Sequence, residues 1–442
     1  MSISGSNSVR WLKNVNPAEW VDFLLISYLY WVAFEWTILS RLGNYGLIQV
    51  IRNTVDLIPI VLLLISIIVL NPKFKSPELR IFSGFALIII LSAISLILES
   101  TGIAPVTGYI GVTVRFVPLI VLVRYTSVDF QRKLFSQVRI IYWLLAGLGL
   151  LSLFGKDWFN GLFLPSVDVF GEVVPTTYKD PGIGATFINT VEFAFFLLGL
   201  TIIYLEGSQS KREKLFVSLL SFVLCLLSFS IASVLGLFLI FFLRSTRKVL
   251  VATVFTGLLI IAFLFFNGFI VQLLGMDIKY WIEISSEFNR LGYLTKVFPE
   301  FLHGGFKDLF LGMGYDAGVV DLKLANYHNT PFVMINNENN LKYLKDVYWL
   351  SILIVQGFIA FITTFYILVS VWMGAGREGS EANYRAVKIF ILLALFLGMF
   401  NQILDMKAFS FCFWLMAGMA LNKPAILTEI SFVKTRLSGE TA

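Results

Sequence analysis

The chain has 442 residues, of which 57% are hydrophobic and only 14% charged, with a net charge of +6. A soluble domain carries about 25% charged residues, so this chain lacks the polar surface needed to cover a globule in water. Repeated apolar runs near the ~20 residues that cross a hydrocarbon core make it an all-α, polytopic integral membrane protein. Its basic residues are spread over the ends of those runs rather than gathered on one segment, which excludes a nucleic-acid partner.

In chain order, residues 1–19 are polar and lack a short apolar core followed by a small-residue cleavage site, so the first span is expected to remain in the protein. Apolar runs then predict about twelve spans, roughly at 20–40, 55–70, 81–98, 108–123, 138–154, 186–205, 215–229, 231–243, 249–271, 347–372, 387–404 and 408–422. The pair within 215–243 is too long for one ordinary helix and short for two, which suits short helices or a bent hairpin around Ser228-Phe229-Ser230. Spans 1–9 thus occupy 20–271, with an external segment at 155–185. A polar segment at 272–346 separates spans 9 and 10, spans 10–12 fill 347–422, and 423–442 form a tail. Cys225 and Cys412 both fall inside apolar runs, so no disulfide framework or zinc spacing is available.

Charge counting predicts the orientation. With the N-terminus inside, the inner segments hold twenty-one Lys/Arg, among them Lys73, Lys75, Arg124, Lys133, Arg212, Arg244, Arg385 and Lys388. The outer segments, leaving aside the long loop, hold five: Arg41, Arg52, Lys156, Lys179 and Lys407. Long loops translocate regardless of charge, so the omission is legitimate. Both termini are therefore expected in the cytoplasm and the 272–346 loop outside. The outer loops are short in the first half and long in the second, which argues against a transporter built from internal repeats.

Several residues in this frame are candidates for chemistry. Arg115 sits inside the fourth span, shortly before Pro118; a charge in hydrocarbon costs at least ~2.5 kcal/mol, so it should face the bundle or a wet cavity. It suits a lipid diphosphate, or a structural pair with Glu35 or Glu192. In the long loop, Ile284, Phe288, Leu291, Leu294, Phe298 and Phe301 recur at helical spacing, and Glu283, Glu287 and Arg290 share another face. That group reads as a surface ion pair or as a guanidinium aimed at a phosphate. His328 could serve as base or hydrogen-bond donor, or be a solvated loop histidine. Glu338 and Asp346 are the carboxylates near re-entry, and Asp346 could equally be a helix N-terminal acid. Leu311-Gly312-Met313-Gly314 is a turn signal. No metal-binding acid pair, P-loop or dinucleotide fingerprint occurs, so no metal or cofactor is expected and a diphosphate leaving group would fall to Arg and Lys.

The order Arg290, Phe310-Leu311-Gly312-Met313-Gly314, Asp346-Val347-Tyr348-Trp349 and Gln356-Gly357-Phe358 resembles the bacterial O-antigen polymerase and ligase superfamily of inner-membrane glycosyltransferases. The resemblance covers roughly residues 211–373 and the overall topology. Ligases of that superfamily carry a histidine about eleven residues before the glycine of the following span, where this chain has Asp346; His328 is 29 residues before Gly357 and out of register. An acid at that position resembles the Wzy-type polymerases more. The hairpin Ser228-Phe229-Ser230-Ile231-Ala232-Ser233 departs from the family's usual Ser-Arg-Gly.

The resemblance implies a GT-C-like fold with a large periplasmic loop between helices 9 and 10 in the bacterial inner membrane. The implied activity joins undecaprenyl-diphosphate-linked glycans, donor and acceptor, without metal. Arg290 and Arg115 would bind the diphosphate, and Asp346, with Glu338 and His328 as alternates, would orient or deprotonate the acceptor hydroxyl. A chain-length regulator and membrane lipids would be partners. An O-antigen ligase acting on lipid A core, or a multi-pass transporter or flippase of lipid-linked sugars, are the alternatives.

Overall fold

The structure is a computed structural model that describes residues 17–70, 73–99, 111–169, 172–174, 183–208, 210–228, 230–245, 301–314, 348–375, 380–399 and 403–422. The expected ninth span and most of the long loop lie outside these residues. So do Arg290, His328, Glu338 and Asp346.

The described chain is helical apart from one small hairpin. In order it runs α1 (Pro17–Leu39), α2 (Tyr45–Asp56), α3 (Ile58–Leu70), α4 (Ser76–Glu99), α5 (Leu119–Leu122), α6 (Phe130–Leu151), α7 (Lys156–Phe163), β1 (Val167–Val169), β2 (Glu172–Val174), α8 (Thr190–Gly207), α9 (Lys211–Leu227) and α10 (Ile231–Arg244). It continues with α11 (Phe306–Leu311), α12 (Tyr348–Gly374), α13 (Glu381–Leu397) and α14 (Lys407–Leu421). The strands pair antiparallel with Asp168 opposite Val173, inside the expected external segment 155–185.

Among the described residues, six helical stretches are long and apolar enough to cross a membrane: Ala18–Leu42, Tyr45–Ile68, Ser76–Ser95, Phe130–Phe154, Thr190–Gly207 and Tyr348–Gly374. Shorter apolar helices add Ala232–Arg244 and Lys407–Leu421. The chain is therefore an all-α membrane protein in outline.

Two departures from the expected spans have local causes. The second span begins earlier than expected: Asn44 accepts from Leu47 N and starts α2, after Gly43 has turned the chain in the left-handed region. The chain then breaks at Leu57 because Pro59 has no N–H to continue the ladder. The fourth span is irregular for the same reason. Around Pro118 the backbone tightens to i→i−3 bonds, Val117 N to Val114 O and Leu119 N to Phe116 O. The 215–243 region is two short helices, α9 and α10, and Ser230 caps the second by accepting from Ser233 N.

The core is built on α8 and α14, which are apolar around most of their circumference, as helices enclosed by others must be. Close approach replaces hydrophobic drive in a membrane. A Cβ on Gly199 of α8 would lie 3.2 Å from Cβ of Cys412 on α14, and Phe390 and Phe409 meet edge to face at 5.2 Å. Both cysteines are buried and unpaired.

Side-chain contacts tie the helix ends into two groups. At one end, Asp22 accepts from Ser127 N at 2.9 Å and pairs with Lys133 at 2.7 Å; Arg124 holds Glu78, the Lys73 carbonyl and Asn422; Gln131 reaches Asn383 at 3.2 Å. All of these come from segments that charge counting placed together. Glu213 belongs to the same end, where hydrogen bonds from Ser208 and Tyr204 hold its carboxyl below the usual range. At the other end, Arg41 donates to the Leu162 carbonyl, Thr186 to the Ala33 carbonyl at 2.5 Å, and Ile183 N to the Leu227 carbonyl at 3.0 Å.

Candidate functional site

The second end carries a network of buried charge. Lys407, 3% exposed at the start of α14, bridges Glu35 of α1 and Asp56 of α2 at 2.5 Å each. The other oxygen of Glu35 pairs with Arg52 Nε at 2.7 Å, and the guanidinium lies 5.2 Å from the Trp36 ring. Arg115, 7% exposed, gives one terminal nitrogen to Asp56 at 3.2 Å and the other to the Asp405 carbonyl at 2.8 Å. Tyr28 donates to Asp56 at 2.9 Å. Glu192, in the first turn of α8, lies within electrostatic reach of Arg52, Arg115 and Lys407.

Charges this deep persist only when paired. Among the described residues the network holds three cations (Arg52, Arg115, Lys407) and four carboxylates (Glu35, Asp56, Glu192, Asp405). The ion pairs of Glu35 and Asp56 with these three cations form a clasp joining α1, α2, the fourth span and α14. Arg115 faces the bundle as expected, yet its carboxylate partner is Asp56, not Glu35 or Glu192. Only its Nε has no acceptor among the described residues. Lys407, counted as an outer-loop charge, is an interior residue because the short turn at 403–406 folds back into the bundle.

A second feature lies on α12. The helix is interrupted at Gly357, which takes φ +80° and ψ 179°, a conformation that glycine adopts without steric penalty. The break leaves the carbonyls of Ile354 and Val355 without their usual partners, and the Gly-x-Gly turn supplies them: Met313 N donates to Ile354 O at 2.8 Å and Gly314 N to Val355 O at 3.3 Å. Met313 is fully buried against this joint. Ile354 is six residues into α12, roughly 9 Å along the helix at 1.5 Å per residue. A piece of the 272–346 segment therefore docks along the side of a membrane-spanning helix, well inside its end. Gln356, 4% exposed, keeps an amide nitrogen without a partner among the described residues.

α12 connects the two features. Tyr348, the first residue of α12, lies beside Asp405, whose carbonyl holds Arg115. Asp346 stands two residues earlier in the sequence. Of the five candidate site residues, Arg115 alone is described, and the other four lie outside the described residues. The contribution of Asp56 and Lys407 escapes sequence reading because each sits at a span edge, where a charge ordinarily meets water, whereas Glu35, a candidate partner of Arg115 by sequence, pairs instead with Arg52 and Lys407. Among the described residues no group of His, Cys, Asp and Glu is arranged to hold a metal ion.

No family model and no curated protein matches this chain.

Proposed function

We propose that this protein is a Wzy-type polymerase: it joins undecaprenyl-diphosphate-linked repeat units into a surface polysaccharide on the outer face of a bacterial inner membrane. In this reading it has about twelve spans, both termini in the cytoplasm and the 272–346 loop as an external lid.

The observation that carries the proposal is the joint between the two motif pieces named for the resemblance. Gly312-Met313-Gly314 and Gln356-Gly357 are more than forty residues apart in sequence, yet the first hydrogen-bonds to Ile354 and Val355 directly before the second, and Gly312 packs against Gly357. Such a unit anchors residues 312–314 on α12, the helix whose first residue lies by Asp405, and an amphiphilic donor and acceptor would meet on that side of the bundle. A hydroxyl of one repeat unit attacks the anomeric carbon of the other chain, the glycosidic bond forms, and undecaprenyl diphosphate leaves. Asp346 takes or orients the hydroxyl proton, with Glu338 and His328 as alternates. Arg115 could reach a diphosphate only by giving up Asp56, so Arg290 bears the leaving group and Arg115 positions the spans. A chain-length regulator is a partner in this scheme.

The test is the banding of surface polysaccharide in a strain lacking this protein. Loss of a polymerase leaves core carrying a single repeat unit; bare core identifies a ligase instead. The broken helix favours one second reading, because transporters use interrupted helices at membrane depth. Transbilayer movement of lipid-linked sugar by the purified protein, with no polymer growth, would select it.

A further inference from the structure

At the end of the bundle away from the Arg115 network, a cavity of about 340 Å³ opens where α8, α10, α12 and α13 converge. Its mouth is basic. Glu206, whose side chain is 1% exposed, pairs with Arg244 and lies 3.5 Å from Arg385, so one buried carboxylate fixes two guanidinium groups. Lys388 lies 3.9 Å from the centre of the Tyr384 ring and 5.3 Å from that of Trp372. No carboxylate stands at salt-bridge distance from its ammonium among the described residues. Three cations and one carboxylate line the cavity, and a second, exposed carboxylate, Glu381, stands 3.7 Å from Arg385 outside it. The remainder is apolar, formed by Leu243, Ile389 and Leu392.

We infer that this cavity binds an anionic phospholipid, its phosphate held by Lys388 and Arg385 and an acyl chain laid over Leu243, Ile389 and Leu392. A small soluble anion would use the cations but gain nothing from the apolar half. A zwitterionic lipid would use the apolar half but bring a cation of its own towards Lys388. An anionic headgroup on a hydrocarbon chain matches both halves. Basic clefts between helices at a membrane surface recognise such headgroups by their charge, and the rings beside Lys388 fix its ammonium without neutralising it.

The full chain, reconstituted in mixed phosphatidylcholine and phosphatidylglycerol and extracted in mild detergent, is examined by native mass spectrometry. Retention of phosphatidylglycerol over phosphatidylcholine is expected, and the ratio should fall roughly tenfold in the Lys388→Gln, Arg385→Gln double variant. Leu392→Trp, which fills the apolar half without touching charge, should lower phosphatidylglycerol retention as well. Arg212→Gln, an exposed cation outside the cavity, should change nothing. Equal retention of both lipids, an unchanged ratio in the double variant or in Leu392→Trp, or an equal fall in Arg212→Gln would overturn the proposal. So would inorganic phosphate displacing phosphatidylglycerol, which would assign the cations to a soluble anion.

Discussion

Gly312 and Gly357 stand against each other across the break in α12, and neither position leaves room for a side chain. A Cβ on Gly357 would lie 2.5 Å from the Phe310 carbonyl oxygen, and one on Gly312 would lie 2.6 Å from Gln356 N. Both residues also hold positive φ, +80° and +83°.

Alanine at either glycine should therefore be severe. Forcing atoms into a packed site costs about 1–3 kcal/mol, and a left-handed backbone adds about 1–2 kcal/mol. Thermal unfolding of the detergent-purified variants, followed by tryptophan fluorescence, should show both well below the parent protein. Gly147→Ala, inside α6 where a Cβ would meet nothing within 4 Å, should melt at the parent temperature or slightly above it. Equal melting of all three would mean that the joint does not hold the loop.

The buried clasp predicts a particular pattern of damage. Lys407→Met leaves Glu35 and Asp56 each short of one partner, and breaking a buried pair costs about 3–5 kcal/mol. Adding Glu35→Gln removes one of the two stranded charges and should recover part of that loss. Yield and melting temperature in the same detergent read the comparison. A double variant no better than Lys407→Met alone would argue that Glu35 is not the residue left exposed to hydrocarbon.

The opposite ends can be assigned to sides of the membrane with single cysteines, since native Cys225 and Cys412 are buried. Lys73→Cys and Arg212→Cys should resist a membrane-impermeant thiol reagent in intact spheroplasts and react after permeabilisation. Asp157→Cys should react without permeabilisation. Labelling of all three from outside would reverse or break the orientation that the Lys/Arg distribution implies.

On the proposed function, Arg290→Ala should abolish long chains while leaving the protein in the membrane. Asp346→Asn should be as severe if that residue takes the acceptor proton, and mild if it only complements a helix N-terminus. The ladder of polysaccharide lengths, beside an immunoblot of membrane fractions, separates these outcomes. Long chains persisting in Arg290→Ala would remove the diphosphate role from that arginine.

The membrane class and the grouping of the helix ends were legible because both rest on composition, and lipid enforces composition strictly. Arg115 could be placed in the interior by cost alone, but its partner could not, since pairing depends on which helices are neighbours and on their rotation. Asp56 and Lys407 each looked like an ordinary interfacial charge at a span edge. The interruption at Gly357 was hidden for a different reason. In a segment as largely apolar as Ser351–Ala360, periodicity carries little contrast, and a glycine in a membrane helix is commonplace. Its positive φ and the Gly312–Gly314 turn docked on the freed carbonyls distinguish that glycine.

The clasp also has a consequence for biogenesis. Glu35 and Asp56 belong to α1 and α2, which leave a ribosome well before Lys407 of α14. At roughly 5–20 residues per second, the two acids wait on the order of tens of seconds for their shared cation. During that interval Arg52 and Arg115 are the cations that hold them. Chains stopped before α14 would hold Glu35 and Asp56 with one cation each, Arg52 and Arg115, where the finished molecule gives each of them two.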